Sequence, residues 1–227
     1  MTAPVTVGRE DTPHGEVALR RRGDVLELVV DGAFAMDTVD VTSEHLLALR
    51  ALERHPAPSR VLVGGLGLGF TTRAVLDDPG VAHVDVVELA APLVRWARER
   101  LVPELAGLEG PRCRLHVADV ADVLAGRRGP RGPWDVVLLD VDNGPDFLVH
   151  AANSGLYEEP ALASARTALT PGGVLVVWSS HVAPSLLAAL RAAADPHDVV
   201  EEDVVAVSRE GRNLEYALYT LIRGPRT

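Results

Sequence analysis

The chain has 227 residues, with 22 basic residues, all of them arginine, against 32 acidic ones, for a formal net charge of −10. That length suits one α/β domain with a small appendage, able to bury roughly 70% of its unfolded surface. The acidic balance argues against a nucleic-acid binder, and the absence of lysine rules out Schiff-base chemistry and a P-loop lysine. No stretch approaches the ~20 apolar residues of a membrane span. Cys113 is the single cysteine and has no internal disulfide partner. With no apolar run behind basic residues at the N-terminus, a cytoplasmic protein without a leader is expected.

Taken in chain order, Val17 and Leu19 alternate with polar neighbours up to Arg22-Gly23-Asp24. Leu26, Leu28 and Val30 alternate again up to Asp31-Gly32. Period-two runs around a glycine turn predict a β-hairpin. Thr42 or Ser43 is a candidate cap for a helix carrying Leu46, Leu47, Leu49 and Leu52, ending near His55-Pro56. The prolines at 56 and 58 suggest a linker, so residues 1–57 read as an extension and 58–227 as the main domain. From Arg60, strands predicted at Arg60–Gly64, Val81–Glu88, Arg114–Val117, Trp134–Asp140 and Gly173–Ser179 alternate with helices. The helices are predicted at Thr71–Leu76, Ala91–Leu101, Val120–Leu124 and Glu159–Leu169. This alternation predicts an α/β, Rossmann-like, doubly wound and mostly parallel sheet. A helix over Pro184–Ala194 and strands Val199–Val207 and Leu214–Ile222, turning at Arg209-Glu210-Gly211-Arg212, would close it as an antiparallel pair, giving a seven-stranded class I methyltransferase fold.

The turn Gly64-Gly65-Leu66-Gly67-Leu68-Gly69 joins the first of these strands to a helix. Glycines let backbone pass close to a ligand, and the spacing is too short for the dinucleotide fingerprint. Glu88 ends the next strand, where an acid can accept both ribose hydroxyls of an adenosine. Asp119 ends the third; it can accept from an adenine amino group, cap the helix at Val120, or do both. Together with Leu89 and Val120 these residues resemble the S-adenosylmethionine (SAM) site of class I methyltransferases, which would lie at the carboxyl edge of the sheet.

The glycine loop, Glu88, Asp140-Val141-Asp142-Asn143-Gly144-Pro145 and Leu156-Tyr157 resemble the polyamine aminopropyltransferases, the spermidine synthase family. The hairpin and the Ser43-Glu44 helix occupy the place of that family's β-extension. The resemblance implies a donor of decarboxylated SAM, a catalytic aspartate at Asp140 and a homodimer. Two positions depart from the family. The loop acid that grips the donor amine is matched by Gly67, and the second aspartate of the motif after strand four is matched by Asn143. Losing an acid suits a donor that keeps its carboxylate, because two carboxylates would repel. The expectation is therefore a SAM-dependent methyltransferase acting on a small molecule. Aminopropyl transfer from decarboxylated SAM is the alternative, and a non-catalytic SAM-binding subunit a third reading, motivated by the altered Asp-Val-Asp-Asn motif.

Methyl transfer is an in-line displacement in which the protein mainly aligns the reactants, an effect of about 7–11 kcal/mol in favourable cases. Asp140 is the leading candidate to deprotonate or orient the acceptor, with Tyr157 and His181 as further catalytic candidates. Asp142, Asn143, His150 and Tyr157 are candidate acceptor contacts on a long loop after strand four. No histidine or cysteine spacing suggests zinc. An Asp-Asn pair can bind Mg²⁺ in catechol-type methyltransferases, but there it follows a different strand, so no metal is predicted.

Overall fold

Alternating apolar residues make the N-terminal segment a sheet rather than a lone hairpin. In a computed structural model, which describes residues 3–148, 150–209 and 212–225, four strands pair antiparallel in the order β1-β2-β3-β4: β1 (Val5–Thr12), β2 (Gly15–Arg22), β3 (Val25–Val30) and β4 (Ala33–Asp37). Leu19, Leu26 and Leu28 carry its buried face. The expected hairpin is the central pair. The outer strands escape sequence reading because β1 buries no residue completely and β4 buries only Asp37, so neither shows a clean apolar alternation.

Helix α1 (Thr42–Glu53) follows. Neither Thr42 nor Ser43 caps it; the flanking residue is Val41, and Asp40 Oδ1 accepts from the Thr42 N–H at 3.0 Å instead. Leu47, Ala48, Ala51 and Leu52 form its buried stripe.

The remaining elements alternate as expected. They are β5 (Arg60–Gly64), α2 (Phe70–Leu76), β6 (His83–Glu88), α3 (Ala91–Arg98), β7 (Cys113–Val117), α4 (Val120–Leu124), β8 (Trp134–Leu139), α5 (Glu159–Thr167), β9 (Leu169–Ser179), α6 (Pro184–Ala193), β10 (Val199–Arg209) and β11 (Arg212–Ile222). They form a seven-stranded sheet ordered β10-β11-β9-β8-β5-β6-β7, with β11 antiparallel to β9 and β10 antiparallel to β11. The predicted turn residues Glu210 and Gly211 lie outside the described residues.

Strand side chains alternate between two cores. Val61 and Val63 of β5 face a cluster with α1, α3 and the N-terminal sheet, while Leu62 faces one with α4, α5 and α6. Cover on both faces explains the near-continuous Val/Leu runs. The buried Asp85 of β6 is satisfied by Trp134 Nε1 at 3.2 Å and His116 Nε2 at 2.9 Å, as a buried acid requires. No helix among the described residues is long and apolar enough to cross a membrane.

The chain runs β5 to β7 outward on one side, then returns to lay β8 and β9 on the other. The carboxyl ends of β5 and β8 therefore flank the switch point, where open α/β sheets bind ligands. Leu138 of β8 is fully buried beneath that crevice. Leu138→Ala should lower unfolding stability by about 2–5 kcal/mol through the cavity it leaves, read as a lower urea midpoint with an unchanged m-value.

A candidate active site at the carboxyl edge of the sheet

The site is built around the turn after β5. The Gly65 N–H donates to Val87 O at 2.9 Å, and the Asp140 N–H donates to Gly64 O at 2.9 Å. These bonds draw the ends of β5, β6 and β8 together. At Gly65 (φ +94°) a Cβ would lie 2.0 Å from the Asp140 carbonyl oxygen, so no other residue fits. Glu88 reaches under the same turn. Its Oε2 accepts from the Leu66 N–H at 2.8 Å and its Oε1 from the Ala90 N–H at 2.7 Å. Burial pushes the Glu88 carboxyl above its ordinary value, and these backbone donors pull it back.

One pocket runs along this edge. At one end it is lined by Glu88, Leu89, Asp119 and Val120, and at the other by Glu44, Phe70, Thr71, Asp140 and Trp178. Asp119 caps α4 through the Ala121 N–H at 2.8 Å while also lining the pocket. Asp140 directly follows β8, and its Oδ2 accepts from Thr71 Oγ1 at 2.6 Å. Burial pushes the Asp140 carboxyl up to about 7; repulsion from Glu44 adds to this and the Thr71 hydrogen bond opposes it. Asp142 organises the following loop by accepting from the Asn143 N–H at 3.1 Å and from Asn153 Nδ2 at 3.0 Å. Asn143 and His150 also line the pocket, and the His150 ring lies edge-on to His14 of the β1–β2 turn at 5.3 Å. The N-terminal sheet thereby forms a roof that includes Val17, Leu28 and Met36.

Of the residues singled out from sequence, Gly65, Gly67, Gly69, Glu88, Leu89, Asp119, Val120, Asp140, Asp142, Asn143 and His150 share this pocket. Gly64, Tyr157 and His181 are not among its lining residues. Gly64 packs against Leu139 and Val120. Tyr157 is 5% exposed in the core around α5, where burial holds its phenol well above the ordinary value. His181 Nε2 pairs with Asp146 at 2.9 Å, its ring against Phe147.

Sequence reading misses Met36, Glu44, Phe70, Thr71 and Trp178. Thr71 was open to detection, since it lies in the first turn of the helix that the glycine loop starts. Met36 and Glu44 come from the extension, and no local pattern ties them to the loop.

Met36 changes the meaning of Gly67. A Cβ at Gly67 would lie 2.7 Å from Met36 Sδ, and that sulfur also accepts from the Leu68 N–H at 3.2 Å. The missing acid therefore leaves no vacancy. Five carboxylates line the pocket, from Glu44, Glu88, Asp119, Asp140 and Asp142, and none of its described lining residues is an arginine.

Residues 41–193 match the family described as the spermine/spermidine synthase domain. A polyamine aminopropyltransferase of Mycobacterium tuberculosis is 34% identical over 169 residues, 71% of this chain and 30% of that protein. A spermine synthase of Arabidopsis thaliana is 31% identical over 152 residues, 65% of this chain and 40% of that protein. The chain thus spans less than half the length of these relatives. A spermidine synthase solved with the transition-state analogue AdoDATO superposes with a TM-score of 0.79, covering 97% of this chain and 74% of that one at 18% identity. That likeness shows the fold.

These findings overturn the expectation of a one-carbon methyltransferase and, with it, of SAM as donor. The matched family and relatives are named for aminopropyl transfer and polyamine synthesis, chemistry that uses decarboxylated SAM. The inference from Gly67 fails for a physical reason. Met36 fills the space at Gly67, and the pocket lining offers further carboxylates but no arginine among its described residues to compensate a donor carboxylate.

The raised Asp140 carboxyl has a consequence for stability. Its folded-state value of about 7 exceeds the ordinary 3.8, so the folded state binds the extra proton and loses stability as pH rises through that window. Asp140→Asn should match the wild type in melting temperature at pH 4 and exceed it at pH 8. The gain should open between pH 4 and pH 8, read by thermal melts across pH.

Proposed function

The chain belongs to the spermine/spermidine synthase domain family, and from that premise we propose that it transfers an aminopropyl group from decarboxylated SAM to a polyamine acceptor. The observation that carries this reading is the charge of the pocket: five carboxylates and no arginine among its described lining residues. A wall of one sign concentrates ligands of the opposite sign. Donor and acceptor are both cations here, and neither needs a basic partner.

In this reading the nucleoside lies between Leu89 and Val120, its ribose hydroxyls on Glu88 and its adenine amino group near Asp119. The backbone of Gly65, Gly67 and Gly69 lies along the donor. Asp142 shapes the loop that presents Asn143 and His150 to the acceptor. Tyr157 supports that loop from the core, and His181 holds Asp146.

The reaction is a displacement at carbon. An acceptor ammonium gives one proton to Asp140, and the freed nitrogen lone pair attacks the donor carbon bonded to sulfur. The new C–N bond forms as the C–S bond breaks, and the sulfur leaves with the bonding pair as neutral 5′-methylthioadenosine. A carboxyl near 7 suits this proton transfer, because a base matched to ambient pH combines the right ionisation with sufficient driving force.

Incubation with putrescine or spermidine and decarboxylated SAM should add one aminopropyl unit to the acceptor by mass and release 5′-methylthioadenosine in equal amount. SAM should give no product. Failure to transfer to any member of a panel of diamines and polyamines would overturn the proposal. Asp140→Asn should lower kcat/KM by about 10²–10⁴-fold, and the wild-type profile should rise with pH to a plateau above about 7.

A further inference from the structure

Glu44 is the one acid of the pocket contributed by the chain before β5. It sits in the first turn of α1, and α1 packs over β8, β9, β10 and β11, the half of the sheet away from Glu88 and Asp119. Its neighbours along the lining are therefore Asp140, directly after β8, and Trp178, near the end of β9. Ser43 Oγ donates to Glu44 Oε2 at 2.6 Å. Burial pushes the Glu44 carboxyl above its ordinary value, and it repels Asp140 directly. No arginine among the described lining residues relieves the two charges. Facing carboxylates without a cation are costly unless a ligand cation joins them.

Resting on the aminopropyl-transfer reading, we propose that Glu44 is an acceptor-binding residue that holds the attacking nitrogen against Asp140. A primary ammonium has three N–H donors. One proton passes to Asp140, a second N–H donates to Glu44, and the lone pair left behind points at the donor carbon. The indole of Trp178 lines the same end, where an aromatic face suits a desolvated cation. Glu44 thus selects the acceptor, while the nucleoside end selects the donor.

Binding is measured calorimetrically so that the outcome does not depend on turnover. Putrescine is titrated into wild type and Glu44→Gln, each saturated with 5′-methylthioadenosine. Glu44→Gln should weaken putrescine by about 10- to 100-fold, the weight of a charge-assisted hydrogen bond, while 5′-methylthioadenosine binds both proteins within about twofold. Glu44→Asp should recover part of the loss. In turnover, Glu44→Gln should raise acceptor KM more than it lowers kcat. It should also move the acid limb of the pH profile to lower pH, since the repulsion on Asp140 is gone while Thr71 and Tyr157 still face that carboxyl. A merely helix-stabilising role for Glu44 would move neither readout. Unchanged putrescine affinity in Glu44→Gln, equal loss of both ligands, or no putrescine binding by wild type would each overturn the assignment. Absence of transfer by wild type to every polyamine, with these binding differences intact, would instead overturn the aminopropyl reading.

Discussion

The contact on which the site depends is backbone against backbone. Gly65 lies so close to the Asp140 carbonyl that a Cβ would stand 2.0 Å from it. Two main-chain hydrogen bonds, Gly65 N–H to Val87 O and Asp140 N–H to Gly64 O, hold three strand ends at that spacing. Everything else is placed relative to this junction. It puts Glu88 beneath the loop amides, sets Asp140 within reach of Thr71, and opens a crevice along the carboxyl edge of the sheet. A junction made of backbone fixes the relative positions of the side chains around it, and small misplacements of reacting atoms cost large factors in rate.

Electrostatics then decides what the crevice can hold. Its lining carries acids at both ends, but they are differently employed. Glu88, Asp119 and Asp142 are each tied to backbone donors. Asp140 has one hydroxyl partner and a like charge opposite, which leaves it free to exchange a proton. The contrast between these acids comes from hydrogen-bond supply rather than from residue type.

The N-terminal sheet contributes more than cover. Met36 lies over the glycine loop and Glu44 enters beside Asp140, so the extension supplies side chains to the site itself. The likeness of the loop to that of spermidine synthases invites a comparison position by position, and at Gly67 such a comparison misleads. The chemistry of a position depends on what fills its space. Here a thioether from a strand some thirty residues earlier fills it, and carboxylates elsewhere in the pocket keep its charge negative.

The sequence by itself determined the α/β architecture and most element boundaries: β5 and α4 fall where the apolar runs and glycine punctuation place them, and β6, β8 and β9 differ only at their ends. It also determined the strand-end residues Gly65, Glu88, Asp119 and Asp140, because in a parallel sheet every strand end points to one edge. The outer strands of the roof were illegible because exposed edges carry no apolar period. Met36, Glu44 and Trp178 were illegible because their meeting is a long-range event that no local spacing encodes. Tyr157 and His181 were secondary candidates from sequence, and the fold buries one in the core and pairs the other with Asp146. Which acids face each other across a cavity, and hence which ones can move a proton, is a matter of distance and desolvation. Only the tertiary structure decides both.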